Sequence, residues 1–227
     1  MTAHTILRST CRILLTWGLC LTGQVAHAAG SGGMDDFDPD TAGQTPQERS
    51  AQAFQAGLKH RDRALKHEAR AARTENQTTR DKAMAKAKHE YKKAVTKQGE
   101  AIRLFPQNYQ AANELGFALR KTGDFRKAIG AYNFALGINP DYHQAAEYRA
   151  EAFLALGMLD RTRESYMHLF RNDRDLADQL MHRIEDWIAE RGGQADETEA
   201  AFIAWAKERM RLAAVTTDLS SNNTRSW

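Results

Sequence analysis

Histidines are the residues best suited to bind a metal in this chain of 227 residues. Six of them follow the first 28 residues: His60, His67, His89, His143, His168 and His182. No two stand three or four positions apart, the spacing that places two ligands on one face of a helix. His60 and His67 are seven positions apart, but the lysines and arginines around them disfavour a bound cation. We therefore expect solvated histidines and no metal site.

Motifs for catalysis do not occur in the sequence. There is no G-x-S-x-G, Walker-type or dinucleotide-binding glycine pattern. The acidic pairs Glu185-Asp186 and Asp196-Glu197 are adjacent in sequence, and adjacent residues on a helix do not face each other. Both cysteines, Cys11 and Cys20, lie within the first twenty residues. We predict that the protein is not an enzyme and that it uses no cofactor.

Charge is distributed unevenly along a chain whose net charge is only +3. Residues 56–103 contain fourteen Lys and Arg against six Asp and Glu, whereas residues 172–199 contain nine acids and three bases. Residues 35–48 add five acids and no base. The basic segment could bind an anionic polymer, an anionic lipid or an acidic partner. Alternatively it is a solvated helical hairpin whose charge is partly complemented by the acidic segments, and we favour this alternative.

The first 28 residues have the pattern of a secretory signal peptide. "MTAHTILRSTCR" carries Arg8 and Arg12 and no acid, the apolar run "ILLTWGLCLTG" follows, and residues 26–28 have the A-x-A form of a cleavage site. The apolar run is shorter than the roughly 20 residues that span a bilayer. Cys20 lacks the flanking residues of a lipoprotein site. We predict cleavage after Ala28, secretion to the periplasm of a bacterium, and no membrane span in the mature chain.

The sequence after the leader divides into a linker and a series of helices. Residues 29–44 are rich in Gly and Asp and are predicted to form a flexible linker. Thr45, Pro46 and Glu48 have the spacing of a capping box with a proline in the first turn, so a helix should begin there. We expect this helix and a second one, from about Arg80 to Leu104, to form a basic hairpin or divergent repeat over residues 45–105.

Helical periodicity also covers the C-terminal part of the chain. Two helices are predicted within residues 177–215, and the first should end at Gly192-Gly193. The second should begin near Asp196, with Glu199 as its capping partner. Residues 216–227 are predicted to be a polar, frayed tail.

Residues 109–176 repeat with a period of 34. At this offset Gly116 aligns with Ala150, Gly123 with Gly157, and Tyr132 with Tyr166; the residues that carry the pattern are Leu115-Gly116, Leu119, Ala128, Tyr132, Ala135 and Pro140. This period and these residues resemble the tetratricopeptide repeat. The resemblance is specific for residues 109–142 and degenerate for residues 143–176. It implies an all-α fold, a short α-solenoid of antiparallel helix pairs with flanking N- and C-terminal helices, of an exported bacterial type.

The spacing of the small residues has a physical reason of its own. Two helices approach to 8–10 Å only where the side chains at the crossing are small, and Gly116 and Ala128 are small enough. Gly123 should permit the tight turn between the helices of the pair. Phe125 and Tyr132 are expected to fill the space between them.

Tetratricopeptide proteins usually bind peptides or proteins in a concave groove that is lined by the first helix of each pair. The resemblance assigns to this groove Gln110, Asn113, Phe117, Arg120, Tyr148 and Glu151. Some members of the family clamp a C-terminal carboxylate with Lys and Asn residues of several repeats, and this chain has Asn113 and Arg120 but not the full set.

The function predicted on this basis is a non-catalytic protein-interaction scaffold or assembly factor of the bacterial cell envelope. Its partner is expected to be a protein or peptide bound in the groove, and not a nucleic acid, because few aromatic residues are interleaved with the basic ones. The alternative is an electrostatic module that holds an anionic envelope polymer, a lipid or an acidic partner through residues 56–103.

Overall fold

The helical periodicity of the sequence is realised as a stack of α-helices. The computed structural model describes residues 43–191 and 195–223, with the backbone alone at residue 214 and residues 216–223. Within these ranges there is no strand, and the elements are α1 (Pro46–Ala72), α2 (Gln77–Leu104), α3 (Tyr109–Thr122), α4 (Phe125–Ile138), α5 (His143–Ala155), α6 (Leu159–Asn172), α7 (Arg174–Arg191) and α8 (Glu197–Asn223). The signal peptide, most of the linker and the Gly192-Gly193 stop that we predicted lie outside the described residues.

Each helix packs mainly against the next one in the chain, as antiparallel neighbours joined by short loops. α1 with α2, α3 with α4, and α5 with α6 form three successive pairs, and α7 and α8 follow them. The prediction of an all-α solenoid of tetratricopeptide-like helix pairs with flanking helices is therefore confirmed. No helix among the described residues has the length and apolar content needed to cross a bilayer.

Side-chain caps define where the first two helices begin. The Thr45 amide donates to Glu48 Oε2 at 2.7 Å and the Glu48 amide donates to Thr45 Oγ1 at 3.2 Å, so the predicted capping box is confirmed. α2 begins at Gln77, earlier than the predicted start at Arg80. The reason is a cap that we did not recognise: the Asn76 side chain accepts a hydrogen bond from the Thr79 amide at 2.9 Å.

The first pair is built from helices of 27 and 28 residues, about twice the length of those in the second pair. Its crossing is tight, because a Cβ placed on Gly57 would lie 2.3 Å from Nε2 of Gln98. Gln98 Nε2 in turn donates to the Phe54 carbonyl at 3.2 Å, and Ser50 Oγ donates to the Ala101 carbonyl at 2.8 Å. These buried polar contacts fix the register of the two long helices.

The second pair shows the predicted crossing. A Cβ on Gly116 would lie 2.5 Å from Tyr132 Cε1, and Tyr132, Ala128 and Ala135 are fully buried. The pair turns at Gly123, whose φ of +92° favours glycine. The Gly123 amide donates to the Arg120 carbonyl and the Asp124 amide to the Leu119 carbonyl, which is the Schellman pattern of hydrogen bonds.

The same turn recurs after α5. Gly157 has a φ of +69°, its amide donates to the Leu154 carbonyl, and the Met158 amide donates to the Phe153 carbonyl. Gly123 and Gly157 are 34 positions apart, so the turn between the helices repeats with the sequence.

The first helices of successive pairs lie side by side and parallel. Arg61 pairs with Glu114 at 2.9 Å, and seven positions further along both helices Glu68 pairs with Lys121 at 2.8 Å. Because the contacts advance by the same number of residues in α1 and α3, the two helices run in the same direction. Phe117 contacts Tyr148 in the same way across α3 and α5. α1, α3, α5 and α7 thereby form one face of the solenoid.

α7 and α8 close the C-terminal end of the core. The apolar stripe of α7, including Leu180, Ile184 and Trp187, is buried, and Trp187 contacts Phe202 of α8 edge to face at 5.8 Å. Asp196 and Glu199 exchange backbone-to-side-chain hydrogen bonds of 3.3 and 2.8 Å, which confirms the second capping box.

α8 is longer than the sequence analysis predicted. It continues to Asn223, so the described part of the polar tail is helical and our prediction of a frayed tail from residue 216 is wrong there. Residues 216–223 contain no Gly or Pro that would end a helix.

Candidate functional site

A cavity of about 740 Å³ lies on the face formed by the first helices of the pairs. Four helices, α1, α3, α5 and α7, contribute its lining, which consists of Leu65, Phe117, Arg120, Lys121, Glu147, Tyr148, Glu151, Gln179, His182 and Arg183. We call this cavity the concave groove. Because α3, α5 and α7 each contribute side chains that are three or four positions apart, the lining includes one face of each of these helices.

Aromatic rings form the apolar part of the concave groove. The Phe117 ring packs edge to face on Tyr91 of α2 at 6.0 Å and at a tilt against Tyr148 of α5 at 5.4 Å. Tyr148 also lies 6.1 Å from the buried ring of Tyr132. Rings in contact with one another on several sides lose little further freedom on binding, so Phe117 and Tyr148 are preorganised.

Arg120 occupies the centre of the lining. Its guanidinium carbon lies 5.4 Å from the centre of the Phe117 ring and 5.0 Å from that of Tyr148, within reach of a cation–π interaction. Arg120 also forms an ion pair with Glu151, and both side chains are largely buried. Arg183 of α7 approaches the other oxygen of Glu151 at 3.6 Å, with a mostly exposed side chain. Glu151 thus connects α3, α5 and α7.

Glu147 is a buried carboxyl beside this network. Only 1% of the residue is exposed, and its Oε2 accepts a hydrogen bond from Gln144 at 3.1 Å. Burial, and then the negative charge of Glu151, raise the pKa of Glu147 to about 9. The pKa of Glu147 is thus shifted in favour of the neutral carboxyl, as expected for a buried acid beside a second carboxyl group.

The concave groove has a surplus of positive charge. Three of its lining residues, Arg120, Lys121 and Arg183, are cations, whereas two, Glu147 and Glu151, are acids, and the pKa of Glu147 is raised toward the neutral form. Two of these cations also pair with acids outside the lining, Lys121 with Glu68 and Arg183 with Asp186. An aromatic surface with surplus cations can bind an extended peptide that carries apolar and acidic side chains.

The structure brings four of the six predicted groove residues to this cavity. Phe117, Arg120, Tyr148 and Glu151 line it together. Gln110 is exposed but is not among the lining residues. Asn113 is 1% exposed, and its Oδ1 has no hydrogen-bond partner among the described residues. The part that any of the six takes in binding stays a prediction.

Sequence reasoning missed the other lining residues, although the period contained a signal for some of them. Glu147 lies 34 positions after Asn113, and both are buried polar residues of a first helix. His182 lies 34 positions after Tyr148, so extending the period by one more helix would have found it. Leu65 of α1 had no such signal, because the long first pair departs from the period.

Histidine pairs distant in sequence could not be found by spacing. The rings of His143 and His168 lie 5.8 Å apart, and burial together with His143 and Arg171 lowers the pKa of His168. No cluster of three or more His, Cys, Asp or Glu residues that could hold a metal ion occurs in residues 43–191 and 195–223.

The basic hairpin formed by α1 and α2 pairs with acids of its own and of α3. Glu90 contacts His60 at 2.7 Å and Lys93 at 2.9 Å, and although burial opposes it, these hydrogen bonds hold the pKa of Glu90 at about 2. Within the described ranges no ion pair joins residues 56–103 to the acidic residues 172–199. Direct pairing between these segments, as our favoured interpretation of the charge division would allow, is not found there.

No family model matches the chain. Among curated proteins it is similar to Protein PHOX3 of Arabidopsis thaliana, with 25% identity over 113 residues that cover 46% of this chain and 14% of that protein. The chain thus corresponds to a small part of that protein's length.

Two solved structures also resemble this one. The first TPR of Spaghetti (RPAP3) bound to the HSP90 peptide SRMEEVD has 18% identity and a TM-score of 0.42, over 60% of this chain and 94% of that one. A mutant of MamA has 22% identity and a TM-score of 0.34, over 63% of this chain and 98% of that one. At these values the likeness says nothing about what the concave groove binds.

Proposed function

We propose that the protein is a non-catalytic interaction module that binds a protein or peptide partner in the concave groove. The observation that carries this proposal is the convergence of Phe117, Arg120, Tyr148 and Glu151 on one cavity. These residues come from two helices and are assembled only by the stacking of successive pairs. The ring contacts and the ion pair hold the side chains in place before a partner arrives.

The groove chemistry supports a partner segment that is extended, partly apolar and acidic. The lining offers the rings of Phe117 and Tyr148, and its three cations outnumber its two acids by one. Acidic side chains of the partner would approach Lys121 and Arg183, which are more exposed than Arg120. We place this module in the cell envelope, as an exported scaffold or assembly factor, on the composition of residues 1–28.

A double substitution tests the groove. Phe117→Ala with Arg120→Glu removes one ring and reverses the central charge, and we expect it to abolish recovery of the partner in a pull-down. The matched control is Phe134→Ala with Arg126→Glu, which makes the same changes at exposed positions of α4. Circular dichroism establishes that both variants keep their helices. Undiminished recovery by the folded groove variant would refute the proposal.

The second candidate function is electrostatic, and a specific observation favours it. Many cations of the basic hairpin have no ion pair among the described residues, including Lys59, Lys66, Arg70, Lys82, Lys86, Lys88 and Lys92. Such a surface attracts anionic polymers or lipids. Exposed charges are screened within about 8 Å at physiological ionic strength. This binding should therefore weaken steeply between low and moderate salt concentrations. Binding that does not depend on the salt concentration would exclude this candidate function.

A further inference from the structure

A small cleft lies between α1 and α2 near the loop that joins them. Its volume is about 180 Å³, and its lining consists of His67, Arg70, Thr79, Lys82, Ala83 and Lys86. We call it the hairpin cleft. It is separate from the concave groove, with which it shares no lining residue. Its space equals that of about six water molecules at roughly 30 Å³ each, so a small ion with part of its hydration shell fits.

The lining of the hairpin cleft is basic on both sides. Arg70 projects from α1, and Lys82 and Lys86 stand one turn apart on α2. The two other polar groups are the Thr79 hydroxyl and the His67 imidazole, and the lining contains no carboxylate. Three cations gathered around one space repel each other unless an anion lies between them.

Three acids of α1 and α2 have partners outside the cleft. Glu68 pairs with Lys121 of α3, Asp81 accepts a hydrogen bond from Gln77 at 2.8 Å, and Glu90 binds His60 and Lys93. Arg70, Lys82 and Lys86 form no ion pair with any residue that the structure describes. No ion pair within the described residues therefore compensates these three cations.

We propose that the hairpin cleft is a binding site for a phosphate group, either free or on a lipid headgroup. A phosphate offers at least three acceptor oxygens and up to two negative charges, which matches a guanidinium, two ammonium groups and a hydroxyl. Arginine can hold two of these oxygens with parallel hydrogen bonds. A carboxylate has one charge and two oxygens and would leave donors of the cleft without a partner. This inference rests on the second candidate function, since it gives the basic hairpin a discrete site.

Calorimetric titration of the full chain with inorganic phosphate tests the site, at an ionic strength held constant with chloride. The wild type should show saturable binding to one site. Lys82→Gln with Lys86→Gln should weaken it at least ~10-fold, because two charge-assisted hydrogen bonds are lost. Lys88→Gln with Lys92→Gln is the matched control, with the same charge change on the same helix outside the cleft. Its affinity should stay near that of the wild type.

Vesicles distinguish the two sources of the phosphate. Sedimentation with phosphatidylcholine vesicles that contain phosphatidic acid, compared with phosphatidylcholine alone, shows whether a headgroup reaches the cleft. If the protein sediments with these vesicles, requires Lys82 and Lys86 to do so, and is released by inorganic phosphate, the ligand is a lipid headgroup. If it binds inorganic phosphate in the calorimeter but does not sediment with vesicles, the ligand is free phosphate.

Two results would contradict the proposed phosphate site, and only the second would also exclude the second candidate function. Equal weakening by both double variants would show that diffuse charge, not a discrete cleft, attracts the anion, and the second candidate function would stand. If neither phosphate binding nor salt-sensitive binding to any polyanion is observed, both the site and the second candidate function are excluded. Circular dichroism of all variants excludes unfolding as the cause.

Discussion

Glu147 lies in an environment that differs strongly from that of a solvated glutamate. It is buried next to Glu151, and its neutral form is stabilised by burial and by that neighbouring charge. Arg120 pairs with Glu151 and lies beside the rings of Phe117 and Tyr148. The side chains of the concave groove are therefore coupled, and a change in one alters the charge balance of the others.

Glu147→Gln should make the protein less sensitive to pH. The folded chain binds the Glu147 proton up to a pKa of about 9, whereas the unfolded chain releases it near the ordinary value of 4.5. The stability that this proton contributes is present below about pH 4.5 and is lost as the pH rises toward 9. Urea unfolding at pH 5 and pH 8 should show a smaller decrease in the variant. Glu164→Gln, at an exposed position of α6, is the control, and parallel pH curves for Glu147→Gln and the wild type would contradict this account.

Single residues could be predicted from the sequence where the 34-residue period applies. Phe117, Arg120, Tyr148 and Glu151 were placed by the repeat and converge on the groove. Asn113 was expected at the same surface, yet it is buried. The period specifies the direction of a side chain along a helix, but not how closely neighbouring helices cover it.

Tight helix crossings determine the geometry of the pairs. Gly116→Leu should destabilise the protein by about 1–3 kcal/mol through overpacking, because even a Cβ at this position meets the Tyr132 ring. Gly130→Leu is the matched control, because Gly130 lies in α4 and a Cβ added to it would extend into open space. Thermal melts followed by circular dichroism should show a decrease for the first variant and none for the second. An unchanged melting temperature for Gly116→Leu would exclude Gly116 from the crossing.

The turns between paired helices depend on left-handed backbone. Gly123→Ala should cost roughly 1 kcal/mol, because an alanine at a φ of +92° is strained. Gly99 lies within α2, and a Cβ added to it would meet no neighbouring residue within 4 Å. Gly99→Ala should therefore stabilise the protein by roughly 0.5–1 kcal/mol. Chemical denaturation measures both. Equal effects of the two substitutions would show that the backbone of the turn adapts without strain.

Elements that follow local rules were predictable, whereas the relation of α1 to the repeats was not. The capping boxes at Thr45 and Asp196 depend on residues three positions apart and were recognised. α1 packs on α3 through Arg61–Glu114 and Glu68–Lys121, pairs separated by 53 positions in sequence. A search for a period of 34 cannot detect that offset, so the part of α1 in the groove was missed.

At the scale of the whole molecule, basic residues from different parts of the sequence lie on two separate surfaces, the hairpin cleft and the concave groove. Arg61 of α1 forms an ion pair with Glu114 of α3, whereas Arg70, Lys82 and Lys86 border the hairpin cleft. The concave groove combines rings of α3 and α5 with cations of α3 and α7. One solenoid thus presents an aromatic groove and a separate basic cleft, and the two can be altered independently.

The central claim is that partners bind on the concave face. A photoreactive phenylalanine analogue at Phe117, compared with the same analogue at exposed Phe134 of α4, tests it in living cells. We predict one dominant crosslinked protein from position 117, identified by mass spectrometry and lost when Arg120→Glu is added, and no such product from position 134. Equal crosslinking of that protein from both positions, or crosslinking from position 134 alone, would contradict the account.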